Sequence, residues 1–113
     1  MSDSTKFCKC KEKTMVITVP QELDHYHADM VRAEAEVIFT KCPIKNVIFD
    51  FTETMFMDSS GIGLITGRYR KICDIGGVVY VYGLNPAMDK VFMLSGLNRI
   101  VTKIQSMEEG MYE

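Results

Sequence analysis

Two short apolar runs limit the fold most strongly: residues 46–51 (NVIFDF) and 78–82 (VVYVY) are almost continuously apolar instead of alternating with polar residues. Strands of that kind occur where a sheet is covered on both faces, as in parallel sheets flanked by helices. The segments around them carry helical spacing. After Ala28, the residues Val31, Ala35, Ile38 and Cys42 recur at helical intervals, with Arg32, Glu34 and Glu36 on other faces and Asp24 upstream as a candidate N-cap. This predicts an amphipathic helix ending before Pro43. Ile62, Ile65, Tyr69 and Ile72 form a second stripe, closed by the cap chemistry of Gly76-Gly77. Asn85-Pro86 opens a third helix that runs through Val91, Phe92 and Leu94 to Gly96, and residues 99–104 read as a last short strand. Near the start, residues 15–19 (MVITV) stop at Pro20, and a hairpin turning near Glu12-Lys13 joins them to an alternating strand that ends at Lys11. Strands alternating with helices imply an α/β fold: a mixed four- to five-stranded sheet with a parallel centre, right-handed crossovers and helices packed on it.

The 113 residues suit one domain over residues 1–113, with a core from about 15 to 104, an N-terminal strand at 5–11 and a tail at 105–113. The first few residues and the acidic end from Glu108 are expected to fray. A chain of this size buries roughly two thirds of its unfolded surface, enough for one core without metal or disulfide staples. It leaves little room for a deep substrate cavity. The formal net charge of −2 argues against nucleic acid as the main partner, although four lysines fall between Lys6 and Lys13. No stretch approaches the ~18 apolar residues of a membrane span, and the N-terminus is polar where a signal peptide is apolar, so a cytoplasmic location is expected. Cysteines then sit in a reducing compartment, and Cys42 and Cys73 read as small core residues.

The segment most able to carry chemistry is Met57-Asp58-Ser59-Ser60-Gly61-Ile62-Gly63, which puts two serines where a strand ends and a helix begins. Asp58 or Ser59 capping the helix is the plainest reading. A dinucleotide cradle fails on spacing, since Thr66 stands at the third glycine position and Val81-Tyr82-Gly83 offers no ribose-binding acid. A serine hydrolase lacks the Gly-x-Ser-x-Gly elbow and has only His25 or His27 as base. Cys8-x-Cys10 with His25-x-His27 does not have the spacing of a standard zinc site, and the histidines read as polar residues in the turn before the first helix. The remaining reading makes a serine the target of chemistry. A phosphate on Ser59 would meet free amides and the positive end of the helix dipole, opposed in part by Asp58. Gly61, Gly63 and Gly67 weaken the same helix by about 0.5–1 kcal/mol each relative to Ala, which points to a close backbone approach, either inside the domain or by a partner.

The run from Phe56 to Ile65, continuing to Gly67-Arg68-Tyr69 and Gly76-Gly77, closely resembles the STAS domain of bacterial anti-sigma factor antagonists, especially the sporulation, sigma F type. Glu22-Leu23-Asp24-His25 resembles the loop before that family's first helix, and Asn85-Pro86-Ala87 with Leu94-Ser95-Gly96-Leu97 resembles its third helix and the following turn. The resemblance implies a STAS fold and a protein without catalysis, cofactor or metal. It implies that the unphosphorylated form binds an anti-sigma factor that is also an ATP-using serine kinase, which frees the sigma factor. Phosphorylation of Ser59 by that kinase would end binding, and a phosphoserine phosphatase would restore it. Partner contacts would map to Asp24, Asp58, Ser59, Ser60, Gly61, Ile62 and Gly63, and the protein would be a monomer or weak dimer. The alternative is a scaffold or sensor STAS module in a stress-signalling complex. The Cys8-x-Cys10 strand is not a feature of the family.

Overall fold

The computed structural model describes residues 4–111. β1 (Cys8–Lys11) and β2 (Thr14–Thr18) form the expected antiparallel hairpin, with Glu12 at φ 57° in its tight turn. The chain then alternates through β3 (Glu22–Leu23), α1 (His25–Lys41), β4 (Asn46–Asp50), β5 (Phe56–Met57), α2 (Ser59–Asp74), β6 (Val79–Tyr82) and α3 (Pro86–Ser95). A 3-10 turn at Leu97–Arg99, β7 (Thr102–Ile104) and α4 (Met107–Met111) complete it. The segment expected as one strand over 99–104 is thus part turn and part strand, and the N-terminal strand is shorter than 5–11.

Five strands make the main sheet in the order β1-β2-β4-β6-β7, parallel from β2 onward. Each crossover moves to the next neighbour in the same direction. Right-handed connections therefore put α1, α2 and α3 on one face. There the large core forms: Met15, Ile17, Val47, Phe49, Val79 and Val81 of the sheet meet Ala28, Val31, Ala35 and Ile38 of α1, Leu64, Ile65 and Ile72 of α2, and Met88 and Phe92 of α3. The opposite face carries a small cluster of Val16, Ile48, Tyr80 and Ile104, covered by Met107 and Met111 of α4. The described part of the end expected to fray, residues 108–111, is therefore held in α4: Gly110 is buried, and a Cβ there would stand 2.8 Å from Ile48 Cδ1.

The helix ends follow ordinary cap chemistry. Asp24, Asp58 and Asn85 accept from the amides of His27, Ser60 and Met88, and Pro86 fills the first turn of α3. After α2, Gly76 takes φ 78° and the Gly77 amide donates to Ile72 O at 2.9 Å. Gly77 also lies against Lys45 O, where no Cβ fits.

Three expectations need correction. Cys73 is exposed on α2, and of the pair only Cys42 is a core residue. His25 and His27 belong to the first turn of α1, because Asp24 caps one residue before His25. Finally, the buried face of α2 is Leu64, Ile65, Arg68 and Ile72, with Ile62 and Tyr69 only half-buried. Arg68 takes the inner position because its guanidinium donates to Glu36 Oε2 at 2.9 Å and lies 4.9 Å from the Phe39 ring centroid. An arginine with a paired charge and a long aliphatic stem packs where a periodicity count expects a tyrosine.

Candidate functional site

The site is assembled by two chain segments that run side by side into two helices. After β2, the backbone of residues 19–23 accompanies that of 54–58. The buried Thr54 hydroxyl donates to Val19 O and Pro20 O, the Met55 amide donates to Gln21 O, and the Asp58 amide donates to Leu23 O at 3.3 Å. Asn85 Nδ2 donates to Thr54 O from the other side. Between these ties β3 and β5 pair in parallel, with Glu22 opposite Phe56 and Leu23 opposite Met57. Parallel pairing makes both segments reach their helices at the same level. Asp24 and Asp58 are therefore neighbours, and the N-termini of α1 and α2 open together. These strands have two residues each, too few for any periodic signal in sequence.

At α1, Asp24 Oδ1 accepts from the His27 amide at 2.9 Å and lies 2.8 Å from His27 Nδ1. The backbone hydrogen bond first, and the ring second, hold this carboxyl below the usual aspartate value. At α2, Asp58 Oδ1 accepts from the Ser60 amide at 2.8 Å. Ser60 is half-buried, and its Oγ lies 3.4 Å from His25 Nδ1, so the two helix ends also touch through side chains. Ser59 is exposed, and its hydroxyl makes no hydrogen bond among the described residues.

The glycines of α2 divide by role. A Cβ at Gly61 would stand 2.4 Å from Met57 Cγ and 2.8 Å from Leu23 Cδ2, so this glycine lets α2 sit down on the β3-β5 pair. Gly63 and Gly67 meet nothing within 4 Å. With Ser59 they recur at four-residue intervals, which places them on one side of the helix. That side presents backbone with almost no side chain. Large apolar groups on the adjoining segments are in water: Tyr26 on the first turn of α1 is 67% exposed, and Met55 before β5 and Phe56 in it are 63% and 49% exposed. The acids Glu22, Asp24, Asp29 and Asp58 lie on the same two segments, with Arg32 paired to Asp29.

All seven residues singled out from sequence thus fall on this one double helix end: Asp24, Asp58, Ser59, Ser60, Gly61, Ile62 and Gly63. Sequence reasoning did not single out the exposed Tyr26, Met55 and Phe56 as site residues, and it missed the contact of His25 with Ser60. The cysteine and histidine pairs are not joined: Cys8 is buried on β1, and His25 and His27 lie two residues apart on a helix, on different faces. Burial pushes the Cys8 thiol up to about 12, which suits an inert core group. Among the described residues no cluster of His, Cys, Asp and Glu could hold a metal ion. Clefts of about 380, 290 and 310 Å³ lie along β6 and β7 and beside the β1-β2 hairpin, and the two helix ends line none of the three. No helix among the described residues is long and apolar enough to cross a membrane.

The mixed sheet with a parallel centre and the Asp-Ser-Ser-Gly helix start lie within residues 8–110, which match the STAS domain. The chain belongs to the STAS domain family. It is 33% identical over 87 residues to the anti-sigma F factor antagonist of Paenibacillus polymyxa, an alignment covering 77% of this chain and 74% of the relative. Its fold superposes on the unphosphorylated anti-sigma factor antagonist SpoIIAA with a TM-score of 0.80 and 30% identity, covering 92% of this chain and 90% of the other. The phosphorylated form of the Bacillus cell fate determinant SpoIIAA matches with a TM-score of 0.72 and 31% identity over 93% of this chain and 95% of that one. The sheet, expected with four to five strands, has five.

Proposed function

We propose that this chain is an anti-sigma factor antagonist of the sporulation type. Its unmodified α2 end docks on an anti-sigma factor that is also a serine kinase, the sigma factor is released, and phosphorylation of Ser59 ends the docking. The observation that carries the reading is the exposed Ser59 hydroxyl, unengaged among the described residues and set on a bare side of α2, with Tyr26, Met55 and Phe56 exposed on the adjoining segments. Apolar groups and open backbone suit a flat protein partner better than a small substrate. The existence of unphosphorylated and phosphorylated forms of a structural relative supports the same reading.

The chemistry of the switch follows from the helix end. A phosphate on Ser59 adds roughly −1.5 to −2 charge. In the free protein it meets the amides and positive dipole end of α2, opposed by Asp58, so the fold survives. In the docked state it loses water opposite a surface shaped for a neutral hydroxyl, and an uncompensated buried charge costs about 3–5 kcal/mol. The protein is then the substrate of the kinase and its ligand at one place. Its own role is regulatory, exercised in the cytoplasm, with a phosphoserine phosphatase to reset it.

Incubation of the full chain with ATP and an anti-sigma factor serine kinase, read by mass spectrometry, tests the proposal. One phosphate on Ser59 is expected. Phosphate elsewhere refutes the site, and none refutes the antagonist reading in favour of a scaffold module.

A further inference from the structure

Two serines stand next to each other at the start of α2, and the fold treats them differently. The Ser60 amide donates to Asp58 and the Ser60 hydroxyl meets His25 Nδ1 at 3.4 Å, whereas the Ser59 side chain engages nothing among the described residues. The far nitrogen of the same ring, His25 Nε2, lies 3.4 Å from Asp29 Oδ2, and Asp29 is itself fixed by Arg32 at 2.8 Å. A carboxylate only accepts, so in the neutral ring Asp29 favours the tautomer with hydrogen on Nε2. Nδ1 then carries the lone pair, and the Ser60 hydroxyl is the donor to it. His25 reaches this position because β3 and β5 deliver both helices at one level.

Building on the antagonist reading, we propose that His25 is the positioning residue that makes Ser59 and not Ser60 the phosphate acceptor, by holding the Ser60 hydroxyl hydrogen across the gap between the two helices. In the transfer, the bond from the γ-phosphorus of ATP to ADP breaks, a bond to the serine Oγ forms, and the hydroxyl proton passes to a carboxylate of the kinase. That carboxylate must receive a hydrogen bond from the acceptor hydroxyl. Ser59 offers its hydrogen freely. Ser60 must first give up His25.

The test uses the full chain in four forms with the same kinase and ATP. Ser59→Ala should take almost no phosphate, while His25→Ala with Ser59→Ala should label Ser60 at least about fivefold faster, the factor that one net hydrogen bond is worth. His25→Asn with Ser59→Ala restores an acceptor oxygen near the Nδ1 position, and Ser60 should close again. A purely structural role for His25 would not distinguish Asn from Ala. A measurement without kinase reads the contact itself: imidazole nitrogen shifts should show His25 with hydrogen on Nε2, and Ser60→Ala should move its Nδ1 while leaving His27 in place. Equal labelling of Ser60 with and without His25, or a His25 ring indifferent to Ser60→Ala, overturns the inference alone. Absence of phosphate on the unmodified chain overturns the antagonist reading and this inference with it.

Discussion

At the start of α1 the capping Asp24 accepts from both the amide and the ring of His27, and the first turn shows His25 and Tyr26 to solvent. At the start of α2, directly beside it, the capping Asp58 accepts one amide and the first turn is Ser59, Ser60 and Gly61. Both ends grow from a two-residue strand, an aspartate cap and the same backbone geometry, with cap φ near −91° and −100°. The first is closed by side chains and the second is left open. Capping chemistry alone therefore does not tell a structural helix end from a functional one. The side chains of the first two turns do, and they differ here by large rings against small groups.

The largest expected effect breaks the open end. Ser59→Asp places a permanent charge where α2 would dock, and affinity for the anti-sigma factor should fall by about 3 kcal/mol or more, roughly 100-fold. Stability should stay within about 0.5 kcal/mol of the parent, since the residue is exposed. Titration calorimetry paired with a thermal melt measures both. An equal change at Tyr26→Asp would show that the docking surface extends onto the closed end, and no change for Ser59→Asp would remove the switch.

Next in size is Gly61→Ala. The added methyl must displace Met57 and Leu23 side chains that form the floor under both helix ends. Overpacking of this kind costs about 1–3 kcal/mol, so the melting temperature should drop by several degrees. Partner binding should weaken as well, because β3 and β5 set the level at which Ser59 and Tyr26 are presented.

Removing the caps compares the ends directly. Asp58→Ala should cost about 1 kcal/mol in a denaturant titration. Asp24→Ala should cost more, because two donors of His27 lose one acceptor. The acid limb should differ too. The Asp24 carboxyl sits below its ordinary value of 3.8, so the folded state holds fewer protons there than the unfolded one. Its contribution is complete above that value and is lost as pH falls through the lower folded value. Glu36 behaves in the same way below 4.5, held down by Lys71 and then Arg68. Asp24→Ala should therefore flatten the loss of stability below about pH 4.

How far the sequence could carry this comparison depends on the range of each signal. The long elements were readable because their causes are local: continuous apolar strands, a stripe from Val31 to Ile38, and caps at Asp24 and Asn85. The position of the Asp-Ser-Ser-Gly turn was readable for the same reason. What could not be read depends on contacts between distant segments. Leu23 pairs with Met57 far along the chain with no periodic trace, since neither strand exceeds two residues. Arg68 is buried only because Glu36 and Phe39 come to it from α1. Tyr26, Met55 and Phe56 are apolar by type and exposed by place, which composition cannot separate.

The smallest effect is the sharpest test of why the second end is open. Gly63→Ala adds a methyl group that meets no atom within 4 Å, on an exposed turn of α2. An alanine there loses less conformational freedom than glycine on folding, so the domain should gain about 0.5–1 kcal/mol and melt a few degrees higher. If the bare side of α2 exists for a partner's close approach, the same methyl should weaken anti-sigma factor binding although the protein is more stable. Stability and affinity then move in opposite directions from one carbon atom. Gly67→Ala, two turns from Ser59 on the same side, should show the same gain in stability with a smaller loss of binding. If both variants bind as the parent does, the glycines are not part of the docking surface, and the functional contrast between the two helix ends narrows to Ser59 and the exposed apolar groups on the adjoining segments.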